Sequence, residues 1–238
     1  MKIKVLCFVG FYLPGYKAGG PLRTIANMVA HLSESVDFWI VTRDRDLGDS
    51  TAYSGIKADQ WQEVGGAHVY YLSPEKCSLS QIRKVMVGVS YDVLYLNSFY
   101  DPAFTIKPLL IRRYLKGGAK PCIVAPRGEF SEGAIALKAT KKRIYNYFSN
   151  VLGLYEDVVF QASSEHEARD IIHILRVATH RVELAIDLAE SNTSVCESIG
   201  ALGVRSLSSF LRVIFLSRIS PMKNLDFAIN ALSLVTQK

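Results

Sequence analysis

The chain opens IKVLCFVGFYL (residues 3–13), PGYKAGGP (14–21), LRTIANMVAHL (22–32), and the reading of these thirty residues decides the fold. The first run is apolar almost throughout, the pattern of a strand buried on both faces. In the third, Leu22, Ile25, Ala26, Val29 and Leu32 recur at three- and four-residue spacing and share one helical face. Pro21 suits the first helical position, where a missing N–H is no loss. Gly19 and Gly20 then precede a helix N-terminus. Unpaired N–H groups and the positive dipole end favour an anion such as phosphate there, and glycine lets it approach with no Cβ in the way. A phosphate cradle and a plain strand-to-helix turn both fit these residues.

With 238 residues, 49% of them hydrophobic, the chain has material for one large domain or two small ones. A net charge of +6 fits anionic substrates or a membrane surface and is too mild to imply nucleic acid. Cys7, Cys77, Cys122 and Cys196 lie far apart without a CxxC, which favours free thiols in a reducing compartment. Lys2 and Lys4 before an apolar run have the outline of a signal peptide. No small-x-small cleavage site follows before Lys17, however, and a helix comes next, so a first strand is expected. No run reaches the ~20 apolar residues of a bilayer span. The expected location is cytoplasmic, with peripheral attachment at the inner face of a membrane left open.

Further along, apolar runs predict strands at 37–42, 67–73, 92–97, 121–126 and 157–162, and a weaker one at 181–186. Residues 43–66 read as a long polar connection containing Trp61. Helices are predicted over 79–87, over 104–116 with a stop at Gly117-Gly118, over 140–155, and from Ser164 to about Leu175. Ser164 and Glu167 have the spacing of a capping box. This alternation implies an α/β fold, a Rossmann-like parallel sheet with helices on both faces. Ligands of such sheets bind at the carboxyl ends of the strands beside a topological switch point. Residues 1–187 form this first domain. The Ser-rich stretch 188–210 reads as a linker. The run LRVIFL (211–216) and a helix over 225–235 make one βα unit, the start of a truncated second α/β domain over 211–238.

Four stretches then resemble the family 4 glycosyltransferases of the GT-B fold, over nearly the whole chain but only the first half of such an enzyme. They are the Pro-Gly-x-x-x-Gly-Gly-Pro loop (14–21), TRDRDLGD (42–49) with Trp61 and Val69-Tyr70-Tyr71, APRGEF (125–130) with the Ser163-Ser164-x-x-Glu167 pattern, and FLSRISPMKN (215–224). The resemblance implies transfer of a sugar, with retention, from a nucleotide-sugar donor to a glycan or lipid-linked acceptor, in cell-surface polysaccharide assembly. It implies that Gly19 and Gly20 meet the donor diphosphate from the N-terminal side, that Arg218 and Lys223 match the family's phosphate-binding pair, and that Arg127 binds the acceptor. No cofactor or metal is implied, and no catalytic residue is assigned. The family's donor-side Glu-x7-Glu lies beyond residue 238, so this chain alone is expected to be inactive and a separate C-terminal half is a possible partner. The family's Pro-Asn-Gly-like turn is absent around residues 182–187.

Other signals carry competing meanings. Asp44-x-Asp46 has the spacing of a metal-binding pair, but Arg43 and Arg45 compete for the carboxylates, which favours a structured loop. Glu129 reads first as a dipole partner at a helix start. Between Gly133 and Tyr155 there is no acidic residue, while Lys138, Lys141, Lys142 and Arg143 are basic and Tyr145, Tyr147 and Phe148 aromatic. Ile144, Phe148, Val151 and Tyr155 align on one face. A core stripe under a solvated basic face and an anionic membrane surface both fit. His31, His68, His166, His173 and His180 show no metal-ligand spacing. A dehydrogenase is disfavoured, because no GxGxxG follows the first strand. The rival to the enzyme is a non-catalytic or split-off subunit that binds acceptor, membrane or a partner chain.

Overall fold

The computed structural model describes residues 2–114, 120–136, 139–190, 213–217, 219 and 223–235. The chain divides into two compact units, residues 1–191 and 192–238. The first holds an eight-stranded sheet: β1 (Ile3–Phe8), β2 (Val36–Arg43), β3 (Trp61–Val64), β4 (Ala67–Leu72), β5 (Val93–Leu96), β6 (Cys122–Val124), β7 (Val158–Ala162) and β8 (Val182–Leu184). Their spatial order is 3-4-2-1-5-6-7-8, and all pairs are parallel except β3 with β4. The chain leaves β1 for β2 on one side and later places β5 on the other, so the switch point lies between β1 and β5.

Strand alternation sorts the side chains into two cores. On one face Cys7, Val9, Ile40 and Val69 pack with Ile25 and Val29 of α1 (Gly20–Leu32). On the other, Leu6, Phe8, Leu94, Leu96 and Phe160 pack with α2 (Leu79–Gly88), α3 (Lys107–Arg113) and α6 (Glu165–Leu175). Helices thus cover both faces, as the alternating apolar runs require. Between β6 and β7 run α4 (Glu132–Ala136) and α5 (Ala139–Val151).

Four elements of the first unit differ from the sequence reading. β1 ends at Phe8, because Val9–Leu13 follows the core under α1 instead of the sheet: Tyr12 is buried against Ile25, and its carbonyl accepts the Gly15 N–H in a tight turn. The stretch read as a polar connection contains β3, which closes an antiparallel hairpin through Gly65 and Gly66, both at positive φ. A two-glycine turn of that kind is a hairpin signal. On that edge the Trp39 and Trp61 rings meet edge to face at 4.8 Å, and His68 stacks on Trp39 at 4.3 Å. The helix predicted from 104 begins as a wide turn, Pro102–Ile106, capped by Asp101 Oδ1, which accepts the N–H groups of Ala103 and Phe104. Its expected stop at Gly117-Gly118 lies outside the described residues.

The fourth difference is the largest. Of the stripe for which a core and a membrane-facing surface both fit the sequence, Ile144, Phe148 and Val151 face outward, against the core alternative. The inward positions of α5 are Lys142, Tyr145 and Ser149, which also recur at helical spacing. Lys142 Nζ donates to the carbonyls of Glu129 and Ala134 and sits over the Tyr100 ring. The Tyr145 and Tyr155 hydroxyls share a hydrogen bond at 2.7 Å. Tyr155 itself, beyond the helix end, is buried and stacks on Phe99.

In the second unit, helix α7 (Leu225–Val235) forms as predicted. Residues 213–216 of the predicted strand are exposed and belong to no ladder among the described residues. A strand exists only with a hydrogen-bonded neighbour. No helix among the described residues is long and apolar enough to cross a membrane.

Candidate functional site

Several buried polar side chains of the first unit, among them Asp44, Asp46 and Asn97, follow the carboxyl ends of its parallel strands, and the glycine loop is held there by one of these carboxylates. Asp46 Oδ2 accepts the N–H groups of Tyr16 (2.7 Å) and Lys17 (3.0 Å), while Oδ1 accepts that of Leu47. Its neighbour Asp44 is gripped by Arg45 through both oxygens. The aspartates of the Asp-x-Asp pair are therefore engaged in shaping loops. Burial alone would raise the Asp46 carboxyl, but the three backbone donors outweigh it and hold its pKa below the ordinary value of 3.8. A carboxyl depressed on folding adds stability that is present above its unfolded pKa and lost as pH falls through the folded one. We expect Asp46→Asn to lower the unfolding free energy at pH 7 by about 1–3 kcal/mol. Urea titrations should show this deficit shrinking as pH drops below about 4.

Gly19 caps α1 at φ 78°, with no side-chain cap, and Pro21 takes the second helical position, one later than the sequence suggested. The Arg23 N–H reaches the Gly19 carbonyl at 3.4 Å. The N–H groups of the first turn before it belong to Gly20 and Leu22, and a Cβ on Gly20 would meet nothing within 4 Å. Gly20 instead borders a cavity of about 350 Å³, whose wall also includes Thr24, Arg127, Ser131, Ser163 and Asp187. A smaller one, about 200 Å³, lies over the switch point on the other side of Pro21 and touches Gly10, Asn97 and Glu129.

Arg127 lines the larger cavity. Its guanidinium donates to Asn97 Oδ1 from Nε (3.3 Å) and Nη2 (3.0 Å), to the Tyr95 hydroxyl (2.6 Å), and to Asp187 Oδ1. The side chain is only 8% exposed. Of its five N–H donors, these contacts occupy four. Asp187 Oδ2 in turn accepts the Thr24 hydroxyl at 3.1 Å, so one carboxylate joins the loop after β6 to α1. Beyond it, Asn27 donates to the Leu188 carbonyl and His31 bonds the Ala189 carbonyl, laying residues 187–189 along α1. The segment without the Pro-Asn-Gly-like turn therefore forms a wall of this cavity. Beneath Arg127, burial pushes the Cys7 thiol up to about 12, against the opposing pull of Arg127 and Asn97, which disfavours the thiolate.

Arg127 and Gly128 both have positive φ, 56° and 75°, which turns the chain sharply at the end of β6. One carboxylate holds this turn, and a second, just after it, holds the loop beside it. Glu167 Oε1 accepts the Gly128 N–H at 2.6 Å, and Oε2 accepts the Ser163 N–H and hydroxyl. Ser164 caps α6 by accepting the Glu167 N–H, as the capping-box spacing predicts, but the glutamate reaches Ser163 and the neighbouring strand's loop instead of closing the box. Glu129 accepts the N–H groups of Phe99 and Tyr100 and the Ser98 hydroxyl, so it serves the loop after β5 and not its own helix start. Burial raises its pKa, opposed by these donors and by Lys142.

The structure thus brings Gly20 and Arg127 to one rim, with Gly19 next to it as the cap of α1. Lys223 is exposed just before α7 in the second unit, and Arg218 lies outside the described residues. Thr24, Ser131, Ser163 and Asp187 join the site without having been singled out for it; His166 and Asp170, paired at 3.4 Å, stand at its edge. The arrangement offers a helix N-terminus, several hydroxyls and carboxylates for a polyhydroxylated ligand, and one guanidinium.

No family model matches the chain, and no curated protein matches it in sequence. Among solved structures it is similar to the crystal structure of a glycosyltransferase from Rickettsia africae ESF-5, at 9% identity and a TM-score of 0.45. The match covers 78% of this chain and 43% of the other, so the chain spans less than half the length of that protein.

Proposed function

We propose that this chain is the acceptor-side half of a retaining, metal-independent glycosyltransferase of the GT-B type, resembling family 4, that passes a sugar from a nucleotide-sugar to a glycan or lipid-linked acceptor in cell-surface polysaccharide assembly. The observation that carries this reading is the cavity of about 350 Å³ at the strand ends, where the first turn of α1 meets hydroxyls, carboxylates and Arg127. The N–H groups at Gly20 and Leu22 suit the departing diphosphate, stabilising charge where it develops. Ser131, Ser163 and Asp187 suit sugar hydroxyls, and the remaining Arg127 donor suits an acceptor phosphate. Arg218, Lys223 and a separate C-terminal half would hold the rest of the donor.

The test is calorimetric titration of the chain with UDP and GDP, alone and as their hexose conjugates. Saturable binding to at least one is expected. Because the Gly20 Cβ position is open, Gly20→Leu should weaken that binding by about tenfold or more while leaving the unfolding free energy within about 0.5 kcal/mol. Transfer should appear only when a C-terminal half is supplied, and should survive EDTA. A second reading, a non-catalytic subunit that binds a partner chain, draws on α7, whose Phe227, Ile229, Leu234 and Val235 are all exposed. Partner binding without transfer on complementation would favour it.

A further inference from the structure

Helix α5 presents an apolar stripe to the outside. Ile144, Tyr147, Phe148 and Val151, spaced i, i+3, i+4 and i+7, are 54%, 66%, 56% and 66% exposed, and Leu152 continues the stripe. Large contiguous apolar patches of this kind mark interaction surfaces. The charges on the helix itself have one sign. Lys141 and Arg143 are exposed at the stripe's N-terminal end, and no acidic residue occurs from Gly133 to Tyr155. At the other end the exposed Arg113 donates to the Leu152 carbonyl, beside Tyr114, which is 78% exposed. A cavity of about 480 Å³ opens there. Arg113, Arg176 and Arg181 line it above the apolar rings of Phe99 and Phe160, with Glu156 its single carboxylate.

We infer that this surface docks on an anionic lipid bilayer, with α5 lying in the interface plane. Ile144, Phe148, Val151 and Leu152 would enter the acyl boundary, Tyr147 and Tyr114 would sit at headgroup level, and Lys141, Arg143, Arg113 and Arg176 would meet lipid phosphates. Charge complementarity selects this occupant. A second copy packed two-fold on the stripe would set Lys141 and Arg143 against their like, with no carboxylate on the helix to answer them. Lys142 takes no part, since it is tied inward to Glu129 and Ala134. The inference stands apart from the reading of the cavity at the strand ends.

The test is co-sedimentation of the 238-residue chain with phosphatidylcholine vesicles with and without phosphatidylglycerol. The chain should pellet with the anionic vesicles, be released as salt rises, and ignore the neutral ones. Phe148→Ser with Val151→Ser, and separately Lys141→Glu with Arg143→Glu, should each weaken binding by about tenfold or more. Their unfolding midpoints should match the parent, since these side chains are exposed. Absence of binding, equal binding to neutral vesicles, or a dimer in sedimentation velocity that Phe148→Ser abolishes would overturn the inference.

Discussion

Arg127→Ala is expected to destabilise the first unit by about 3 kcal/mol, a fall in melting temperature of roughly 6–12 °C. The residue looks like a ligand-binding arginine in the sequence, yet its guanidinium is mostly spent on the protein itself. Asn97 Oδ1 receives two of its N–H groups and would be left buried without them. Tyr95 keeps its bond to Gln161 and Asp187 its bond to Thr24, so their losses are partial. Two companion variants separate the causes. Arg127→Lys keeps the charge but not the planar fork, and should fall between parent and alanine. Arg127→Gly loses the same contacts but relieves the positive φ, and should be about 1 kcal/mol more stable than the alanine variant. Hydrogen exchange at residues 185–190 should quicken in all three, because Asp187 anchors that segment. If Arg127→Ala unfolds within 0.5 kcal/mol of the parent, roughly the scatter of surface sites, the buried network does not carry the turn.

Glu167→Ala should cost about as much or more, some 3–5 kcal/mol, because three donors lose their acceptor at once: the Gly128 N–H and the Ser163 N–H and hydroxyl. The residue is 8% exposed, so water cannot easily replace the carboxylate. Glu167→Gln retains one acceptor oxygen and should cost about half of that. Arg127 and Glu167 hold the same turn from opposite sides. The double alanine variant should therefore lose less than the sum of the singles, by about 1 kcal/mol in a double-mutant cycle. Simple additivity would mean the two act on independent parts of the loop.

Periodicity made the parallel sheet legible, because strands buried on both faces must be apolar nearly throughout, and those runs stand out in a chain of otherwise mixed polarity. It failed at β3, where Trp61, Gln62, Glu63 and Val64 are too polar for a central strand and needed only to suit an edge. The Gly65-Gly66 pair before Ala67 was the available signal. On α5 two stripes share helical spacing, and periodicity does not say which one turns inward. The choice lies in tertiary partners, the ring of Tyr100 under Lys142 and the hydroxyl of Tyr155 against Tyr145. The site was legible at its helix N-terminus and strand ends, which follow from local order. Its supports were not. Asp46 to Tyr16, Glu129 to Phe99 and Arg127 to Asp187 each join residues 30 or more positions apart, and such bonds leave no local pattern.

The hairpin edge carries a consequence of its own. The chain has two tryptophans, and both belong to the Trp39–Trp61 contact at the β3 side of the sheet, where His68 and Tyr70 complete the aromatic group. Indoles this close share their electronic excitation. Excited at the red edge, where indole absorbs and phenol does not, the chain's emission is thus a local probe of how β3 and β4 sit against β2. Strands β6, β7 and β8, whose ends line much of the cavity, are at the opposite side of the sheet and hold no indole.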